Sequence, residues 1–112
     1  MNKRKALINE YKERKRRGCV YLVTNINNGK YLIGHSANVQ SEQNKFQFAC
    51  MTGTAFHPRL RKDWKEVGTQ DFTLKVLEEL EQKPDQGQEA FMDDLKALEQ
   101  LWRATLDPAQ EY

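Results

Sequence analysis

The chain has no long apolar run: its longest, Cys19–Val23, is five residues, against the roughly 20 that a bilayer-spanning helix needs. The basic opening stretch is followed by no hydrophobic segment of signal-peptide type. A cytoplasmic protein with no membrane partner is the expectation. Cysteine is nearly absent as well. Cys19 and Cys50 lie far apart without Cys-x-x-Cys spacing, and the only histidines are His35 and His57, which argues against a disulfide framework or a zinc site and for free, reduced thiols. Internal repeats and low-complexity linkers are also missing, so the 112 residues read as one domain with room for one modest core.

What is present is charge, and it is segregated. The net value is only +2, yet residues 1–17 hold eight Lys/Arg against two Glu, and residues 76–112 hold three Lys/Arg against ten Asp/Glu. Between them, residues 18–75 carry seven basic and four acidic side chains. With a Debye length near 8 Å at physiological salt, a basic face and an acidic face would remain electrically distinct. The basic segment could meet phosphate, or it could be a solvated amphipathic arm.

Two strand-like runs dominate the pattern. Residues 18–25 and 30–35 are rich in Val, Ile, Leu and Tyr and flank Asn27-Asn28-Gly29, which predicts a β-hairpin with glycine supplying a positive-φ turn position. Before it, residues 3–17 read as a helix with Leu7 and Tyr11 on one face, ending at Gly18. After it, Ser36 or Asn38 caps a helix to Thr52 with Phe46 and Cys50 on one face. Pro58 suits the first turn of a short helix through Val67, which places Leu60 and Trp64 toward the core and ends at Gly68. Phe72, Leu74 and Val76 alternate as a third strand. The last helix spans residues 88–106, with Phe91, Leu95, Leu98 and Trp102 in one stripe. The expected class is α/β in the α+β sense, in the order α-β-β-α-α-β-α around a small three-stranded sheet.

The hairpin resembles the GIY-YIG nuclease superfamily. Its two triplets stand here as Cys19-Val20-Tyr21 and Leu32-Ile33-Gly34, on either side of the Asn28-Gly29-Lys30 turn. Further matches are Ser36 and Asn38, Leu60-Arg61-Lys62-Asp63-Trp64 leading to Gly68, Phe72, Val76-Leu77-Glu78, and Leu98-Glu99-Gln100-Leu101-Trp102. The resemblance implies a mainly antiparallel sheet sandwiched by helices. With the basic arm read from charge over 1–17, the expected division is a GIY-YIG-like domain over 18–106 and a tail over 107–112. The activity implied is endonucleolytic, with Mg²⁺ or Mn²⁺ assisting phosphodiester hydrolysis on nucleic acid, DNA in preference to RNA.

That chemistry needs an activated nucleophile, a metal on an acidic ligand and positive charge where the transition state becomes more anionic. The resemblance places Tyr21 near the nucleophile and Glu99 on the metal. Tyr21 could equally be a half-buried core tyrosine, and Glu99 an interfacial carboxylate paired with Arg103 or Lys96. Two family positions are altered. Leu32 stands in place of the second tyrosine, and Tyr31, one residue away, faces the other side of a strand. Glu42 falls where the arginine belongs, and Lys45, three residues on, is a weak substitute because an ammonium lacks the two-pronged guanidinium geometry. Lys30, Arg59, Arg61, Lys62 and Lys65 are candidate phosphate contacts or a solvated face, and His35 is expected to pack or hydrogen-bond. The expectation is therefore an impaired nuclease-like domain. The alternatives are a nucleic-acid-binding module without catalysis and a protein-interaction domain.

Overall fold

A computed structural model describes residues 17–112. The helix expected over residues 3–17 lies outside the described residues except for Arg17, which opens the first strand. The strands are β1 (Arg17–Asn25), β2 (Tyr31–Ser36) and β3 (Phe72–Glu81). The helices are α1 (Val39–Thr52), α2 (Arg61–Val67) and α3 (Gln88–Arg103). Short 3₁₀ turns at Pro58–Leu60, Thr69–Asp71 and Pro108–Gln110 complete the path.

The sheet has the order β2-β1-β3, and both pairings are antiparallel. Its central strand explains the chain's longest apolar run. On one face Cys19, Tyr21, Val23 and Leu32 pack with Ala49 of α1, Phe56, Leu60 and Trp64 of α2. On the other, Val20, Tyr31 and Ile33 pack with Leu98 and Trp102 of α3. Helices on both faces remove the polar alternation that a half-solvated strand would need. The product is a mixed fold with helices on both sides of an antiparallel sheet, and among the described residues no helix is long and apolar enough to cross a membrane.

Three details depart from the sequence pattern. The hairpin loop is wider than a tight turn: β1 stops at Asn25, β2 starts at Tyr31, and Gly29 alone has positive φ, at 77°. Side chains hold it open, since Asn25 Oδ1 accepts the Asn27 N–H and Asn28 Oδ1 accepts the Lys30 N–H; both are the self-capping bonds that asparagine makes in turns. Strand β3 continues past Val76 to Glu81, its ladder to β1 carrying a register shift between Val20 and Tyr21. Backbone pairing sustains this end of the strand although Glu78, Glu79 and Glu81 stay exposed. Helix α3 stops at Arg103, three residues short of Leu106, where the Thr105 hydroxyl donates to the Trp102 carbonyl at 2.7 Å. Asp107 then precedes Pro108, a position that disfavours helical backbone.

Residues 107–112 fold back onto the sheet. Tyr112 N–H donates to the Tyr31 carbonyl at 2.9 Å, Glu111 bridges Tyr31 in parallel, and the Tyr31 hydroxyl donates to the Asp107 carbonyl at 2.9 Å.

Candidate functional site

Tyr21 faces Gly34 across the β1–β2 pair, and the phenol lies directly over the glycine: a Cβ at Gly34 would stand 2.6 Å from the Tyr21 oxygen. Phe56 meets the same ring edge-on at 5.9 Å. Burial raises the Tyr21 pKa well above the ordinary tyrosine value, and the Glu42 charge raises it further. A phenol held neutral in this way is a poor base at neutral pH. Its neighbour Cys19 is pushed up to about 11, first by burial and then by Glu42 and Glu79, so it is an inert core thiol.

Leu32, where the resemblance leads one to expect a second tyrosine, is buried in the same cluster as Tyr21. Tyr31 points to the opposite face, as the strand period requires, and is bonded to Asp107. Glu42 sits near enough to Tyr21 and Cys19 to oppose their ionisation. One of its carboxylate oxygens is buried with no hydrogen-bond partner among the described residues. An anion at this place opposes the approach of a phosphate.

Glu99 reaches the sheet from the α3 side. It is 8% exposed; Oε1 meets His35 Nδ1 at 2.9 Å and Oε2 meets Arg103 Nη1 at 3.2 Å. Arg103 continues to Glu111 through Nε at 3.0 Å. Glu99 is held by bonds on the α3 side, and its charge still acts on Tyr21, adding to the rise of the phenol pKa behind burial, Glu42 and Cys19. For a divalent cation the donor set is unsuitable, because both carboxylate oxygens are already bonded and a guanidinium lies beside them. Among the described residues no group of three His, Cys, Asp or Glu side chains is placed to hold a metal.

Cationic groups gather instead on the face that carries α1 and α2. Lys45 Nζ stands 5.2 Å from the Phe56 ring centroid. Arg59, Arg61, Lys62 and Lys65 are exposed along the Pro58–Val67 segment, and their side chains form no ion pair among the described residues. Buried Leu60 and Trp64 on the opposite side of the segment force them outward. Lys30 is placed differently. Its ammonium lies 5.7 Å from the Tyr112 ring centroid and helps hold Asp63 ionised.

Two groups of residues escaped the sequence reading. His57 caps the Pro58–Leu60 turn, its Nδ1 accepting the Arg59 N–H at 3.1 Å; a polar residue directly before a helix-opening proline was the available signal. The second is a cluster around Asp63 Oδ2, which accepts from the Tyr112 hydroxyl at 2.7 Å and from Asn28 Nδ2 at 3.1 Å. Asn25, fully buried, donates to the same Tyr112 oxygen at 3.0 Å. Partners separated by 35 to 87 residues leave no local pattern to read. In comparisons with known proteins, no family profile, curated protein or solved structure matches this chain.

Proposed function

We propose that this chain is a GIY-YIG-like domain with impaired nuclease chemistry that binds nucleic acid through the surface of α2 and its flanking turn. The observation that carries this reading is the row of exposed cations Arg59, Arg61, Lys62 and Lys65, none of which forms an ion pair among the described residues. Lysine and arginine side chains not engaged in ion pairs among the described residues suit a polyanion, because neutralising phosphates releases condensed counterions. The segment that carries the row packs through Leu60 and Trp64 on the same side of the sheet as Tyr21.

Impairment follows from the altered positions. Leu32 supplies no hydroxyl, Glu42 supplies charge of the wrong sign, Tyr21 is held neutral, and both carboxylate oxygens of Glu99 are bonded to His35 and Arg103. What remains is a scaffold with a cationic face and no assembled means of activating water.

The test pairs binding with cleavage. Arg61→Gln/Lys62→Gln/Lys65→Gln is expected to weaken binding of labelled single-stranded and duplex DNA by about tenfold or more at low salt, since phosphate contacts dominate such affinity. Incubation of the same substrates with Mg²⁺ or Mn²⁺ is expected to leave them intact. Unchanged affinity in the triple variant would contradict the binding surface, and metal-dependent cleavage abolished by Glu99→Ala would contradict the impairment.

A further inference from the structure

Strand β3 is paired along one edge only. Asn25 donates its N–H to the Lys30 carbonyl and Ile26 donates its N–H to the Asp71 carbonyl, so successive residues of β1 turn alternately to β2 and to β3. Thr73 and Lys75, opposite Thr24 and Leu22, are then the β3 residues that bond to β1, and the N–H and C=O of Leu74 and Val76 project from the other edge. No further strand lies there among the described residues. An edge of this kind is a template for an added strand. Beside it lies a groove of about 270 Å³, lined by Gln43, Phe46 and Gln47 of α1 and by Leu74. Phe46 is held in place beforehand, meeting Phe56 edge-on at 5.6 Å and Trp64 at 6.0 Å. Gln43 and Gln47 stand one turn apart, their side chains without a hydrogen bond among the described residues, and each amide can both donate to and accept from a peptide backbone. Met51, a further turn along the same wall, is 85% exposed.

The far end of the edge differs in charge. Beyond the register shift, Glu79 lies opposite Cys19 and Glu81 opposite Arg17. Opposed residues share a face of the sheet, so both acids stand on the side of Cys19 and Leu74. With Arg17 they line a second cavity of about 220 Å³. We propose that this edge binds an extended peptide segment of a partner protein, which adds a strand to β3, seats alternate apolar side chains in the α1 groove and places Lys or Arg at Glu79. The register shift sets the spacing. Leu74 and Val76 are two residues apart and Val76 and Glu79 three, so a regular added strand carries its first basic residue two positions beyond its second apolar one. Uncharged walls at one end, and two carboxylates against one guanidinium at the other, select that order of apolar and basic groups. The inference stands apart from the nucleic-acid reading, which uses the surface of α2.

The experiment uses the full chain and two labelled synthetic peptides, Thr-Leu-Thr-Leu-Thr-Arg-Thr-Arg-Thr and its reversed sequence, because an added strand can run in either direction. Binding is read by fluorescence anisotropy and by amide hydrogen exchange. One of the two peptides is expected to bind and to slow exchange at Leu74 and Val76, whose amides face the open edge. Glu79→Lys, a change to an exposed side chain, is expected to weaken that peptide by about tenfold or more and to favour the version with Glu in place of Arg. Gln47→Lys, also at an exposed position, puts a charge at the apolar end and is expected to weaken both versions. Failure of both peptides to slow exchange at Leu74 and Val76 at about millimolar concentration would overturn the site, as would binding that Glu79→Lys leaves unchanged. Protection of these two amides by single-stranded DNA in place of peptide would overturn the peptide reading. Protection that rises with protein concentration in the free chain would overturn it in favour of a second copy at the same edge.

Discussion

Gly34 shows at the scale of one residue how a single close approach fixes the amino acid at a position. It is required because Tyr21 crosses its Cα; a side-chain carbon there would lie 2.6 Å from the phenol oxygen and 2.7 Å from Cζ. Gly34→Ala must displace the ring from its Phe56 contact, and overpacking of this kind costs about 1–3 kcal/mol. Gly87→Ala is the matched control, since a Cβ at Gly87 meets nothing within 4 Å and should change stability by less than about 0.5 kcal/mol. Chemical denaturation of the two variants checks both. The faces taken by Tyr21, Tyr31 and Leu32 were legible because strand alternation fixes them. The state of Glu99 was not, because its partner His35 comes from a strand 64 residues away and helical periodicity gives only its nearness to the apolar face.

Between elements, the Asp63 cluster ties the hairpin loop, α2 and the C-terminal segment together. The Tyr112 hydroxyl bond is the largest influence lowering the Asp63 pKa, partly opposed by burial and reinforced by Asn28, Lys30 and Asn25. A carboxyl depressed in the folded state stabilises the fold above its unfolded pKa, and that contribution disappears as pH falls through the folded value. Tyr112→Phe should therefore cost about 1 kcal/mol at neutral pH. The gap from wild type should close as acid protonates Asp63, below its ordinary value of 3.8. Urea midpoints measured from neutral pH downward test this; a gap independent of pH would mean that the hydroxyl acts only through packing and Asn25. The positions of the three strands and three described helices were legible from periodicity and capping residues such as Asn38, whose side chain accepts the Ser41 N–H at 2.9 Å. Element ends were less so. The extension of β3 to Glu81 depends on pairing with Arg17 and Gly18, a long-range cause that alternation in the strand itself does not contain.

Over the whole molecule, charge segregation becomes a division of surfaces. Arg59, Arg61, Lys62 and Lys65 stand outward around α2, whereas Glu99, Arg103 and Glu111 are spent on one another between α3 and the C-terminal segment. The two sets differ in their use: the first forms no ion pair among the described residues and is the surface proposed for a polyanion, and the second holds the framework. The overall composition could suggest a basic partner surface, but only folding decides which charges are satisfied internally. Lys30 illustrates the point, since it belongs to the turn in sequence and to the Tyr112 and Asp63 cluster in space.

The most direct measurement is the salt dependence of DNA affinity in wild type and in Arg61→Gln/Lys62→Gln/Lys65→Gln, plotted as log affinity against log salt. Removing one cation that neutralises a phosphate should reduce the magnitude of the slope by roughly 0.7–0.9, so the account predicts a steep wild-type line and a variant line shallower by about 2 or more. Parallel lines, or wild-type affinity indifferent to salt, would contradict a nucleic-acid interface built on α2.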